Sequence, residues 1–238
     1  MGSLEIERLF YELASESRLA ILQELREKDG KMNDIARKLD MTTTETFRQL
    51  QRLIEASLAK KQPEGTYAIT EYGKLVLEFS SPLEFVLQNK DYFLTHDVRC
   101  LPHQFIMRID VLSQASLITG MVESTTKISK MIGQAKYYMW AISPEPLFQS
   151  LEDISKEIPE GAEYHVISPQ PYMKMANIEN RTLIDPPLIM ALTETQAAVC
   201  FRLLGGKVDY TSFIGDSAAF HEWAKELFLY FWDRGKRV

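Results

Sequence analysis

Two arginines one helical turn apart, Arg48 and Arg52, stand among Thr43, Thr44, Phe47 and Gln51, a few residues before the lysine pair Lys60-Lys61. Guanidinium forks pair with base edges or phosphates, and ammonium groups meet phosphates as point charges, so this grouping suits a polyanion with readable edges. A second grouping, His96, Cys100 and His103, has a spacing that could ligate a metal or haem if the segment were helical. Pro102 interrupts any such helix and only one thiol is present, so the segment also reads as a capped helix junction with polar tips, and no metal is expected. A third grouping, Tyr137, Trp140, Ser143, His165 and Ser168, offers stacking and hydrogen bonding to a small molecule.

The elements that must position the first grouping are legible. Lys31 to Leu39 predicts a short helix, with a cap candidate at Asn33 and one buried face at Ile35, Ala36 and Leu39. A turn follows at Asp40-Met41. Thr42-Thr43-Thr44-Glu45 matches a capping box, and the helix it opens runs to about Leu58 with Leu50, Leu53, Ile54 and Leu58 on one stripe. Arg48 and Arg52 then fall opposite that stripe, Thr44 and Gln51 on its flanks, and Thr43 and Phe47 near the edge at the helix start. Lys60-Lys61-Gln62, the turn Pro63-Glu64-Gly65-Thr66 and the strand Tyr67 to Thr70 predict a two-stranded wing with basic residues on its first strand. The whole stretch reads as a winged helix-turn-helix that enters the major groove of DNA. The other reading is a small helical domain of similar outline that serves as a protein scaffold.

The chain has 238 residues, of which the winged helix uses about a third, so a second domain of roughly 160 residues is required. The formal net charge of −6 gives no global basic footprint, and DNA binding must rest on a local patch. Lys31 to Lys61 holds seven basic residues against four acidic ones, which puts the patch on the motif. Two cysteines, Cys100 and Cys200, make no disulfide framework and suit a reducing interior. No apolar run approaches a membrane span and the start of the chain lacks a secretory pattern, so a soluble, cytoplasmic protein without membrane partners is expected.

Beyond the wing, Thr70 caps a further helix that Ser80-Ser81-Pro82 breaks, placing the boundary between domains 1–80 and 81–238. Leu83 to Leu94 reads as a connecting helix, packed on the second domain or shared between two subunits, and Gln104 to Ile118 resumes helical spacing. From Ile128 the pattern is α/β. A helix through Ile128, Met131 and Ile132 precedes a strand Lys136 to Ile142. A helix with Leu147, Leu151 and Ile154 and a turn at Pro159-Glu160-Gly161-Ala162 precede a strand Glu163 to Ile167. Both strands close with Ile-Ser-Pro. Ligands in open α/β sheets sit beyond the carboxyl ends of strands, so Ser143 and Ser168 are candidates to line a pocket, although Ser-Pro is also an ordinary strand-to-loop signal. Two more strands, Pro187 to Leu192 and Ala197 to Arg202, are joined by Thr193 to Gln196, and Val208 to Tyr210 can add a short one. The closing helix carries Phe220, Trp223, Leu227, Phe228, Phe231 and Trp232 at helical spacing and ends near Gly235. Burying rings of this size contributes on the order of 2 to 3 kcal/mol each.

Two resemblances attach to these residues. Leu13-Ala14-Ser15-Glu16-Ser17-Arg18-Leu19-Ala20-Ile21-Leu22, then Asn33-Asp34-Ile35-Ala36, then Arg48 to Ala56 resemble the DNA-binding domains of ArsR-type archaeal and bacterial regulators over roughly residues 5 to 77. His96 to Pro102, Ala197-Ala198-Val199-Cys200-Phe201, Gly206 to Tyr210 and the closing Gly215-Asp216 … Phe220 to Trp232 look like the regulatory domain of transcription regulators from methanogenic archaea, over roughly residues 83 to 234. That resemblance implies a sensor half related to the phospholipase D-like fold, similar to the effector half of TrmB-type regulators. A phospholipase D site needs a His with a Lys two residues on, and none of His96, His103, His165 or His221 is so followed, which makes the expected domain a degenerate one without phosphodiester chemistry.

The expectation is therefore a two-domain α+β and α/β chain, an N-terminal winged helix-turn-helix followed by an α/β sensor domain. It would act as a sequence-specific transcription regulator that binds a double-stranded DNA operator as a homodimer and answers to a small-molecule effector. No cofactor is expected. The alternatives are a small-molecule enzyme relative and a protein-interaction adaptor, each with a structural winged helix. No GxGxxG, P-loop, GxSxG or HExxH occurs, so no enzyme is expected.

Overall fold

The computed structural model describes residues 2–144, 162–170 and 178–238, and the expected helix through Leu147, Leu151 and Ile154 with the turn at Pro159-Glu160-Gly161 lies outside the described residues. The chain divides into two compact units, Met1–Ser81 and Pro82–Val238. Among the described residues no helix is long and apolar enough to cross a membrane.

The first unit runs α1 (Gly2–Leu13), α2 (Glu16–Glu27), β1 (Gly30–Lys31), α3 (Met32–Lys38), α4 (Thr43–Glu55), β2 (Ala59–Lys61), β3 (Thr66–Ile69) and the start of α5 (Glu71–Gln88). Its core joins Ile21, Leu22 and Leu25 of α2, Ile35 of α3, Leu50 and Leu53 of α4, Leu58, Tyr67 and Ile69 of the hairpin, and Val76 and Leu77 of α5. Each such aliphatic side chain, taken out of water, contributes about 1.5–3 kcal/mol. The Thr42 hydroxyl accepts from the Glu45 N–H at 3.2 Å, the first half of the expected capping box. The Glu45 carboxylate does not close the box, because it is drawn to Gln49 and Arg48 along the helix.

Four expectations change. α4 stops at Glu55, three residues before Leu58, because Ser57 adopts a left-handed φ of 61° and the Ser57 and Leu58 N–H groups bond back to Ile54 and Leu53 at 2.9 Å each. Leu58 still reaches the core, as the apolar residue that follows this type of helix stop. Asn33 is no cap, since α3 begins at Met32; the backbone before it is held by pairing Gly30 with Tyr67 and Lys31 with Thr66. Where a two-stranded wing is expected, that pairing gives a three-stranded antiparallel sheet, ordered β1-β3-β2. Finally, Pro82 does not break the helix after the wing: α5 continues through it to Gln88. The missing N–H deprives the Glu78 carbonyl of its intrahelical donor, and the Ser80 hydroxyl donates to the neighbouring Leu77 carbonyl at 2.7 Å.

The second unit is built on an eight-stranded mixed sheet. After the end of α5 come α6 (Lys90–Phe93), α7 (His103–Ile106), a 3-10 turn (Ile109–Gln114), β4 (Ser116–Ile118), α8 (Met121–Gly133), β5 (Tyr138–Ile142), β6 (Glu163–Ser168), β7 (Ile178–Thr182), β8 (Leu188–Thr193), β9 (Ala197–Phe201), β10 (Ser212–Gly215), α9 (Ala218–Trp232) and β11 (Lys236–Arg237). The order is β11-β7-β6-β5-β8-β9-β10-β4, with β5, β6 and β7 parallel and the remaining pairs antiparallel. Alternation along the strands sorts the side chains. Ile142, Ile167, Met190, Leu192, Val199 and Phe213 face α9, which buries Phe220, Trp223, Leu227 and Phe228. Met139, Ala141, Tyr164, Ala191 and Ala198 face the other way, against Met131 and Ile132 of α8.

Here too the structure departs from expectation. Gln104 to Ile118 is not one helix: Phe105, Ile109 and Leu112 are buried, but the backbone opens at Arg108, and Leu117 pairs with Phe213 as a strand. The short strand expected at Val208 to Tyr210 forms instead at Ser212–Gly215, because Asp209 Oδ1 accepts from the Thr211 N–H at 2.9 Å and Tyr210 sits at φ 63°, a turn rather than an extended run.

Candidate functional site

The buried face of α4 is Thr46, Gln49, Leu50 and Leu53. What remains outward is an arc of Thr43, Thr44, Phe47, Arg48 and, in the last turn, Glu55, with Gln51 half-buried beside them. Five of the six helix residues expected at a DNA surface therefore share one face. Arg48 is 71% exposed and lies 3.7 Å from Glu45, a loose surface pair that leaves the guanidinium available.

Arg52 has a different position. Its Nε and Nη2 donate to the two carboxylate oxygens of Glu12 at 3.1 and 2.6 Å, a two-pronged grip on the end of α1. The same Glu12 meets Arg18, whose side chain is only 8% exposed. Arg18 donates to the Tyr11 carbonyl at 2.7 Å, the Glu12 carbonyl at 2.8 Å and Gln49 Oε1 at 3.0 Å, and Gln49 donates in turn to Glu45. A polar chain thus runs from a buried cation to the outward face of α4. The Arg52 hydrogen bond, with Arg18 adding its charge against the cost of burial, holds the Glu12 carboxyl below the usual carboxylate range. Sequence spacing could not separate Arg48 from Arg52, since both lie off the apolar stripe; the contact with α1, forty residues away, distinguishes their surroundings.

On the hairpin, Gly65 takes φ 86° in the turn between β2 and β3. Lys60 and Lys61 are exposed and make no ion pair among the described residues. Being consecutive on a strand, they project from opposite faces. Lys61 lies 5.8 Å from the Tyr67 ring, its cross-strand partner. Lys60 pairs with Ala68 and Lys31 with Thr66, two residues earlier on the same strand, so Lys31 and Lys60 share a face. Lys31 was absent from the sequence-derived set; the signal for it is the β1–β3 pairing, which composition does not carry. Arg37 and Lys38, by contrast, are paired with Asp34 and Glu24 at 2.8 and 2.6 Å.

In the second unit the sheet divides the five residues expected at one pocket. Trp140 and His165 are direct neighbours on β5 and β6 and face α9, where Trp140 stacks on Phe228 and His165 on Trp232, with ring centroids 5.0 and 4.5 Å apart. Arg181 covers the Trp232 ring at 4.5 Å. His165 Nε2 lies 2.8 Å from Glu163 and 3.6 Å from Glu179. Ser143 and Ser168 are buried at the carboxyl ends of the two strands, on the face of Ala141 and Val166, opposite to Trp140 and His165. Tyr137 precedes β5 and is exposed. One ligand cannot touch both sets without crossing the sheet. Alternation along the strand places Tyr137 and Trp140 apart, but the fit of Trp140 and His165 beneath α9 depends on a helix far downstream in the chain.

His96, Cys100 and His103 do not converge. No group of three metal-capable side chains forms among the described residues. His96, 5% exposed, stacks on Tyr92 with ring centroids 3.8 Å apart, its Nδ1 is 2.9 Å from the Tyr92 carbonyl and its Nε2 3.1 Å from Asp209. It fastens the loop after β9 to the end of α6. Burial pushes the Cys100 and Cys200 thiols up to about 12 each, leaving them protonated at neutral pH.

The Glu12 linkage has a definite sign. A carboxyl depressed on folding adds stability that is fully present above its unfolded value, near 4.5, and disappears as pH falls through the lower folded value. Glu12→Gln and Arg52→Ala should each lower the urea midpoint of the first unit at pH 7, and the double variant should fall by less than the sum of the two. As pH falls below the unfolded value and through the lower folded one, the gap between wild type and Glu12→Gln should close. Additive losses, or a gap independent of pH, would place Arg52 outside this network.

Comparison with known proteins gives three findings. Residues 7–89 match the family described as HVO_A0261 N-terminal domain, a span that takes in the first unit from residue 7 onward and the rest of α5. No curated protein matches the chain. Among solved structures, the chain is similar to TrmBL2, an archaeal chromatin protein whose structure is described as showing a novel mode of DNA binding, at 13% identity over 98% of this chain and 99% of that one, with a TM-score of 0.41. It is similar also to IdeR of T. acidophilum, at 10% identity over 85% of this chain and 98% of that one, with a TM-score of 0.23.

Proposed function

We propose that the chain is a sequence-specific DNA-binding transcription regulator whose first unit is a winged helix-turn-helix, with α4 as recognition helix and the β2–β3 hairpin as wing. One observation carries this: the outward arc of α4 presents Thr43, Thr44, Phe47, Arg48 and Gln51 while the opposite side is locked into the core, and β2, bearing two exposed lysines, packs directly against α4. Such a helix offers donors and a methyl-sized apolar contact to base edges, and the lysines meet phosphates. Arg52, held by Glu12, serves as a positioning residue for α4. The chain is assigned no catalytic step and works in the cytoplasm, where its buried thiols stay reduced.

A single winged helix covers about one half-site, so a homodimer is part of the proposal. The support is on α5, where Tyr72, Leu75 and Phe79 lie on one side of the helix and are about half exposed. Large apolar side chains grouped in this way favour a partner surface over water. The second unit is the regulatory half. A small-molecule effector would meet Ser143 and Ser168, which share a face at the carboxyl ends of parallel strands, rather than Trp140 and His165 beneath α9.

Binding of the full chain to a mixed-sequence duplex, followed by anisotropy across a salt series, tests the proposal: affinity should fall linearly on logarithmic axes as salt rises. Arg48→Ala should cost about 1–3 kcal/mol on a selected site and relax specificity at one position. Lys60→Ala and Lys61→Ala should weaken all sequences alike, yet unequally, because the two side chains leave opposite faces; the one facing DNA should lower the salt slope by about one. Salt-independent retention, or none, would contradict the proposal. For the dimer, Phe79→Glu should convert the protein to a monomer in light scattering and weaken operator binding. An unchanged mass would place the dimer contact elsewhere.

A further inference from the structure

We propose, on the DNA-binding reading above, that Phe47 selects thymine, its ring packing on the C5-methyl group of a thymine in the major groove. Phe47 is 47% exposed on a helix whose other large apolar side chains turn to the core, Leu50 and Leu53 fully buried and Ile54 packed against it. It belongs to no core cluster and has no aromatic or cationic ring contact among the described residues. At about 100° per residue it stands between Thr43 and Gln51, toward the edge of the outward arc at the start of the helix, with Thr44 and Arg48 farther round. The ring neither donates nor accepts a hydrogen bond. In a groove lined by donors and acceptors, the thymine methyl is the apolar feature it can cover. Its position in the first turns of α4 is where a recognition helix meets base edges.

The surroundings decide against an anchor for a protein partner. Such anchors sit inside a rim of further apolar contacts that exclude water, whereas Phe47 is ringed by Thr43, Thr44, Arg48 and Gln51, with the Glu45 carboxylate beyond Arg48. A wedge driven between base steps would be indifferent to the methyl group, which the measurement below separates. The specificity that follows is for thymine over cytosine at one step of each half-site, beside the position that Arg48 reads.

The test removes one methyl group at a time. Duplexes recovered from a randomised pool by selection on the full chain are resynthesised with uracil in place of each thymine singly, and binding is measured for wild type, Phe47→Ala and Phe47→Leu. A methyl-sized group taken out of water corresponds to ~0.8 kcal/mol, or about fourfold in affinity. Wild type should lose about fourfold at one thymine per half-site. Phe47→Ala should bind the thymine and uracil forms equally, at the lower affinity, and Phe47→Leu should keep a measurable preference for thymine. Because Phe47 lies outside the core, both variants should unfold at the wild-type urea concentration. Equal losses in wild type and Phe47→Ala would overturn the proposal, as would no uracil effect at any position while binding to mixed-sequence duplex still falls with salt. Failure of wild type to retain any duplex would overturn the DNA-binding reading itself, and this inference with it.

Discussion

A guanidinium taken out of water must find an acceptor for nearly every N–H it carries, and Arg18 of α2 imposes that demand on the first unit. Leaving such a charge unpaired costs several kcal/mol, so the groups that meet it are fixed in place. Two of its acceptors are carbonyls at the end of α1, one is the Gln49 side chain on α4, and the Glu12 carboxylate completes the set. The network therefore clamps α1 to α4 across α2. It sets the rotation of α4 about its own axis, and with it which side chains look outward. Both Glu12 oxygens also accept from Arg52, so a cation that the sequence places beside Arg48 braces α4 against the end of α1.

Much of the first unit was legible because its determinants are local. Thr42 caps the helix where the sequence places it, Gly65 turns the hairpin, and Leu50 and Leu53 are buried as their spacing requires. What was not legible depends on pairings between distant residues. The β1–β3 ladder fixes the start of α3 without a side-chain cap and brings Lys31 onto the same face as Lys60. Pro82 carries a helix-breaking signal that is overridden by core contacts on both sides of it, from Leu77 and from Phe85. The short stop at Ser57 is a further case, since serine carries no strong preference for the left-handed conformation it adopts there.

In the second unit the closing helix was readable from its aromatic spacing, and Phe220, Trp223, Leu227 and Phe228 are all in the core. The expected ligand site was read from strand ends and from residue type, and the two criteria separate on the sheet: Ser143 and Ser168 satisfy the first, Trp140 and His165 only the second. Those two rings belong to a stacked series that includes Phe228, Trp232 and the Arg181 guanidinium, which is how a parallel edge of the sheet is joined to α9. The same logic absorbs His96, whose stack on Tyr92 and bond to Asp209 close a loop.

The central claim is that the outward arc of α4, with the hairpin beside it, is the surface that meets DNA. Amide hydrogen exchange of the full chain, followed by mass spectrometry with and without a mixed-sequence duplex, examines that surface directly. Exchange should slow in residues 43–55 and 59–69 on adding the duplex, with β8 and β9 of the second unit unchanged. A complex that forms with protection in the second unit and none along α4 would contradict the account.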